Sequence, residues 1–187
     1  MDKEFHGHYD IWGGDIDPAA VELARHNAEL AGVEDCIRFA RRMERYNLAW
    51  IEDMIPWMYT DQYVRLRSST CIPVCTGEDM YLKESFRPLI EAGGVSVIHP
   101  DILTCGGALE LKKIADLADE HGVAVAVHMA ESPVACMAAV QTCAAMYHCL
   151  ALEFHSVDVP WWSSMVTGLP DPLIRDGFIR APDKPGL

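Results

Sequence analysis

Five short apolar runs, each leading to a titratable residue and spaced at a nearly constant interval, constrain this chain most. Leu48-Ala49-Trp50-Ile51 ends in Glu52, Ile72-Pro73-Val74-Cys75 leads to Glu78, and Val95-Ser96-Val97-Ile98 leads to Asp101. Val123 to Val127 ends in His128, and Leu150-Ala151-Leu152 ends in Glu153. Subtracting positions 52, 78, 101, 128 and 153 in turn gives steps of 26, 23, 27 and 25 residues. Uninterrupted apolar runs bounded by turns are strands buried on both faces, which means parallel strands. Parallel neighbours need a crossover of a dozen or more residues, and each step has room for one.

The intervening segments supply the crossovers. Thr60 can cap a helix over Asp61 to Arg67, and Leu82 to Ala92 is helical in character with Pro88 starting or kinking part of it. Ala108 to His121 carries Leu111, Ile114, Ala115 and Ala118 on one face and stops at Gly122. Ser132-Pro133 opens a further helix in the cap and first-turn positions, and the segment to Tyr147 is small and apolar. The expected class is therefore α/β, a (β/α) barrel of parallel strands of the TIM type, whose sites lie at the C-terminal strand ends. Glu52, Glu78, Asp101, His128 and Glu153 fall at those ends. The chain has 187 residues, whereas such barrels take at least ~200, so a partial barrel is expected.

The first forty residues follow another pattern. Tyr9-Asp10-Ile11-Trp12 reads as a strand and Gly13-Gly14-Asp15-Ile16-Asp17-Pro18 as a tight turn. Asp17 then caps a helix through Ala31 that closes at Gly32. Cys36 to Arg42 is open between two forms, because Cys-Ile-Arg-Phe alternates like a strand while Phe39, Ala40, Met43 and Tyr46 form one helical stripe.

Charge and cysteine usage narrow the partners. The net charge is -13, and a surface that negative repels phosphate backbones and anionic lipid, so neither nucleic acid nor membrane is expected as a partner. No apolar run approaches a membrane span, and the polar start lacks a signal-peptide core. Seven cysteines form an odd set without a CxxC pair, which fits reduced core thiols in a cytoplasmic protein. An acidic chain can still serve a divalent cation, which wants clustered carboxylates.

Neighbouring strands lie roughly 5 Å apart, so Glu52 and Glu78 at adjacent strand ends can converge on one hard cation. Asp101 and His128 end the next two strands, and a carboxylate beside an imidazole fixes its tautomer and raises its basicity. Glu153 is open between an acid opposite that base and a rim charge. His99, His121, His148 and His155 are expected to be satisfied by backbone carbonyls.

From about residue 43 to 187 these motifs resemble the barrel domain of the enolase superfamily, mandelate racemase-like branch. The matching stretches are Tyr46 to Asp53, Thr76-Gly77-Glu78-Asp79, Pro100-Asp101-Ile102 with Cys105-Gly106-Gly107, and His128 in Val-His-Met-Ala-Glu-Ser-Pro. The resemblance implies a Mg²⁺ ion that stabilises an enediolate made by removing the proton α to a carboxylate. It implies Glu52 and Glu78 as metal ligands, Asp101 and His128 as the acid/base dyad, and Glu153 as the group that meets the substrate carboxylate. It also implies a hydroxy-carboxylate or sugar acid as substrate, in a dehydratase or a racemase/epimerase. The Ser132-Pro133 context resembles the sugar-acid dehydratases.

The family also has a capping domain and first strands, an early-strand lysine pair and a third metal carboxylate, and these motifs are not matched here. Asp15, 37 residues before Glu52, is the N-terminal candidate for that third ligand. Weak or absent turnover is the corresponding expectation. Unpaired barrel edges also predict self-association into a homo-oligomer.

Residues 1–42 resemble a slice of a Rossmann-like RNA methyltransferase, through Gly-Gly-Asp-Ile-Asp-Pro and Ala24 to Gly32. That resemblance implies Asp15 on the ribose of S-adenosylmethionine, without the glycine turn that should precede it. The chain therefore divides, by expectation, into a methyltransferase-like fragment at 1–42 and a truncated barrel at 43–187. A methyltransferase remnant and a non-catalytic chimera stay open beside the lyase or isomerase.

Overall fold

A computed structural model of the chain describes residues 32–183. Residues 32–43 form a helix, α1. It is followed by β1 (Ile51–Glu52), α2 (Thr60–Ser69), β2 (Val74–Thr76), α3 (Leu82–Glu91), β3 (Val97–Ile98) and α4 (Ala108–Glu120). Then come β4 (Ala124–Val127), α5 (Pro133–Cys143) and β5 (Cys149–Leu152), with an antiparallel hairpin of β6 (Ile174–Arg175) and β7 (Phe178–Ile179) beyond.

The first five strands make one sheet in the order β1-β2-β3-β4-β5, every pair parallel. Sequential order with a helix between each pair is the arc of a (β/α) barrel, as the interval between apolar runs predicts. Within the described residues β1 and β5 each pair on one side only. The ladders shorten the strands to two to four residues, so each begins one to three residues later than its apolar run, except β5, which begins one earlier.

Both faces of the sheet are buried over β2 to β4, and alternation decides what each face carries. β5 departs from the expectation of a strand buried on both faces, because Leu150 and Ala151 are exposed at the sheet edge. Val74, Ile98, Val125 and Val127 point outward into the main core with Phe86 and Leu89 of α3 and Leu111 and Ile114 of α4. Cys75, Val97 and Ala126 point inward and pack on one another beside Trp50. The inward side chains are smaller, as the concave side of a curved sheet requires. A third cluster gathers Met129, Cys136, Met137, Val140 and Trp162 at the β5 side.

The helices follow their sequence signals with two differences. Ser132 caps α5, its hydroxyl accepting from the Ala135 amide at 3.3 Å with Pro133 in the first turn. Thr60 is instead the first residue of α2, with Tyr59 at the cap and no side-chain bond there. Gly32 is helical rather than a stop, and Cys36 to Arg42, open between strand and helix, takes the helical form. Val33, Ile37 and Ala40 bury the inner stripe of α1 in the same core as the sheet. That helix runs across the division drawn at residue 43. Asp15 and the rest of the first 31 residues lie outside the described residues. No described helix is long and apolar enough to cross a membrane.

Candidate active site at the C-terminal strand ends

The parallel ladder carries each strand's last polar residue to one rim. The Asp53 amide donates to the Cys75 carbonyl, the His99 amide to Thr76, the His128 amide to Pro100 and the Glu153 amide to Val127. Asp101 and His128 also form an isolated parallel bridge beyond β3 and β4. Glu52, Glu78, Asp101, His128 and Glu153, the five residues expected at strand ends, therefore stand together.

The turn that delivers Glu78 depends on Gly77. Its φ is +145°, and a Cβ there would meet the Phe86 ring at 2.9 Å and the His99 amide nitrogen at 3.0 Å. Glycine alone relieves both the dihedral and the crowding.

Asp101 is 1% exposed and its carboxylate takes three donors, which leaves one acceptor site on Oδ2. Oδ1 accepts from the Leu103 and Thr104 amides at 2.7 and 3.0 Å, and Oδ2 accepts from His128 Nδ1 at 2.9 Å. Burial opposes its ionisation, but the His128 bond and the backbone amides outweigh that and hold the carboxyl down at about 2. The same bond raises His128 against its own burial, and with the fields of Glu78 and Glu153 its pKa reaches about 9.

With Nδ1 committed, Nε2 of His128 faces the opening, 3.3 Å from Glu78 Oε2 and 3.7 Å from Glu153 Oε2. Glu153 is shared among three imidazoles, because its Oε2 also lies 3.1 Å from His99 Nε2 and its Oε1 lies 2.5 Å from His155 Nε2. His99 is 3% exposed and its Nδ1 donates to the Ala126 carbonyl at 2.7 Å. Its Nε2 also approaches Glu52 Oε1 at 3.8 Å, so it ties the β1 end to the β5 end from beneath.

A second grouping sits beside the first. Ligand atoms of Glu52, Asp53 and Glu78 all lie within 4.8 Å of one another. Thr76 Oγ1 donates to Asp53 Oδ1 at 2.5 Å, and Trp50 Nε1 donates to Glu52 Oε2 at 2.7 Å. Burial raises the Asp53 and Glu78 carboxyls, with further upward pressure from neighbouring acids: Glu52 and Asp79 on Asp53, and Asp53 and Asp79 on Glu78. Three close carboxylates whose charges oppose one another fit a hard divalent cation.

Four residues of this rim are not predicted from the sequence in these contacts. Asp53 is signalled only by standing next to Glu52, and its φ of 48° turns its side chain back toward Thr76. His99 fulfils the carbonyl expectation with one nitrogen and meets carboxylates with the other. His155 pairs with Glu153 instead of a carbonyl, and Glu131 stands with Asp101 and His128 within 4.8 Å. Away from the rim, His121 does bond the Leu117 carbonyl, at 2.9 Å, while His148 pairs with Asp119 at 2.6 Å.

Comparison with known proteins gives a consistent family. A model described as Enolase C-terminal domain-like matches residues 18–187. A D-xylonate dehydratase of Haloferax volcanii is 41% identical over 150 residues, which is 80% of this chain and 36% of that protein. A D-galactonate dehydratase of Variovorax paradoxus is 34% identical over 152 residues, 79% of this chain and 40% of that protein. The crystal structure of a mandelate racemase/muconate lactonizing enzyme-like protein from Rubrobacter xylanophilus superposes with a TM-score of 0.76 at 37% identity. That superposition covers 92% of this chain and 48% of that one. The chain thus spans less than half the length of these relatives. A family match over residues 18–187 and a superposable arrangement of strands and helices make the chain a member of the enolase superfamily, with the Enolase C-terminal domain-like fold.

Proposed function

We propose that this rim removes the proton α to the carboxylate of a sugar acid and expels the neighbouring β-hydroxyl, a dehydration of the acid-sugar type. One observation carries the reading. His128 is held by Asp101 through Nδ1 while its Nε2 faces Glu78 and Glu153 across the opening. The dehydratase names of the two relatives support the substrate class.

Asp101 selects the tautomer that leaves Nε2 free to accept a proton, and it stabilises the imidazolium that results. Glu52 and Glu78, with Asp53 beside them, would hold a Mg²⁺ ion, which when bound would offset the negative charge that develops on the substrate carboxylate. Glu153, held by His99 and His155, meets the far side of the substrate carboxylate. His128 takes the α-proton as the α-C–H bond breaks, and the electron pair left behind expels the β-hydroxyl. The hydroxyl departs as water with a proton returned from His128, and the resulting enol tautomerises to a 2-oxo-3-deoxy acid. Atoms and charge balance without an oxidant.

The test is product formation from a panel of aldonic acids with Mg²⁺, followed by NMR. A 2-oxo-3-deoxy acid supports dehydration. Exchange of the α-proton without loss of water supports racemisation or epimerisation at the same site.

A further inference from the structure

Glu131 is absorbed by none of the preceding chemistry, yet the fold fixes it carefully. Its carbonyl accepts from Trp162 Nε1 at 2.7 Å, so an indole from the segment after β5 pins the loop that follows β4. Trp162 is itself seated against the Phe154 ring, edge to face at 5.1 Å between centroids. One residue later Ser132 caps α5, so the Glu131 backbone is held from both sides.

The side chain turns to the Asp101–His128 pair, with an oxygen within 4.8 Å of their ligand atoms. Glu131 Oε2 is buried and has no hydrogen-bond partner of either kind among the described residues. Its neighbour Asp101 is itself an acceptor whose oxygens already take three donors. Two carboxyl groups this close, one buried and the other half-buried, favour a shared proton over two negative charges. Asp101 is the one that keeps its charge, because the imidazole and two amides solvate it.

We propose that Glu131 is a positioning residue for the Asp101–His128 pair: its carboxyl carries the proton between the two acids, donates to Asp101, and so holds Asp101 against His128 Nδ1. Burial and the adjoining Asp101 charge both raise the Glu131 carboxyl, consistent with a neutral acid there. The donated bond also limits how strongly Asp101 draws on the imidazole, so Glu131 tunes the base without touching a substrate. This role rests on reading Asp101 and His128 as the acid/base pair, but its test needs no turnover.

The experiment uses the full chain with labelled carboxyl carbons and labelled histidine nitrogens. At neutral pH the Glu131 carboxyl carbon should resonate in the protonated position while Asp101 resonates as a carboxylate. The His128 Nδ1–H signal should appear downfield, hold its place in Glu131→Gln, whose amide can still donate, and shift or vanish in Glu131→Ala. An ionised Glu131 at neutral pH overturns the proposal without any variant. So does a His128 Nδ1–H signal that Glu131→Ala leaves in place, or one that Glu131→Gln loses just as Glu131→Ala does. Failure of the proposed dehydration would leave all of these readouts measurable.

Discussion

His128 Nε2 lies 3.3 Å from Glu78 Oε2, so the imidazole proposed as base and a carboxylate proposed as metal ligand share one contact. Proton affinity and cation affinity are thereby coupled. Without a compensating cation, the fields of Glu78 and Glu153 add to the Asp101 bond and His128 stands at about 9. A base must be neutral to accept a proton. Saturating Mg²⁺ should therefore lower the His128 pKa, measured by NMR titration of the ring, and Glu78→Gln should lower it without Mg²⁺. A pKa unchanged by both would break the coupling.

Stability should follow the same pair. His128 rises from 6.5 to about 9 on folding, so its contribution is complete below 6.5 and is lost as pH climbs through about 9. Asp101 falls from 3.8 to about 2, so its contribution is complete above 3.8 and is lost as pH drops through about 2. In thermal melts across pH, the pair's own contribution should be complete between 3.8 and 6.5 and decline on either side. The raised Asp53, Glu78 and Glu131 carboxyls add a separate loss as pH rises above their ordinary values. His128→Asn should remove the alkaline decline that belongs to this pair.

Gly77 offers a test of how the rim is built. An alanine there takes on the φ of +145° and a contact of 2.9 Å with the Phe86 ring. Strain of this kind costs about 1–3 kcal/mol, and Tm should fall accordingly. Because the same turn sets Glu78, Mg²⁺ binding by calorimetry should weaken as well. A stable Gly77→Ala protein with unchanged Mg²⁺ affinity would contradict this account of the turn.

Assembly should follow from the sheet. β1 and β5 each pair on one side within the described residues, and Leu150 on β5 is 59% exposed with Tyr147 and Phe178 more so. Such an edge invites pairing with a second copy. Light scattering should show self-association that Leu150→Lys reduces. A monodisperse monomer with cooperative unfolding would contradict it.

The strands and their parallel order were legible because a buried strand writes itself as an apolar run and the barrel repeats it. Their exact ends were not, since ladder pairing decides them: Leu48 and Ala49 are apolar yet precede β1. At the rim, Glu52 and Glu78 could be singled out by position after a strand. Glu131 could not, because its contact with Asp101 depends on a loop held by Trp162, 31 residues away. His99 shows the limit within one side chain: bonding to the Ala126 carbonyl suits any core histidine, whereas its approach to Glu153 exists only once β3 and β5 curve toward a common interior.

The most direct measurement of the central claim is exchange of the α-proton of sugar acids into deuterated water with Mg²⁺, compared between the wild-type chain and His128→Asn. The account predicts measurable exchange in the wild type and none in His128→Asn with Mg²⁺ binding nearly intact. Glu78→Gln should lose both Mg²⁺ affinity and at least ~10²-fold in exchange rate, as expected when charge stabilisation is removed. Exchange that survives His128→Asn at the wild-type rate would contradict His128 as the base.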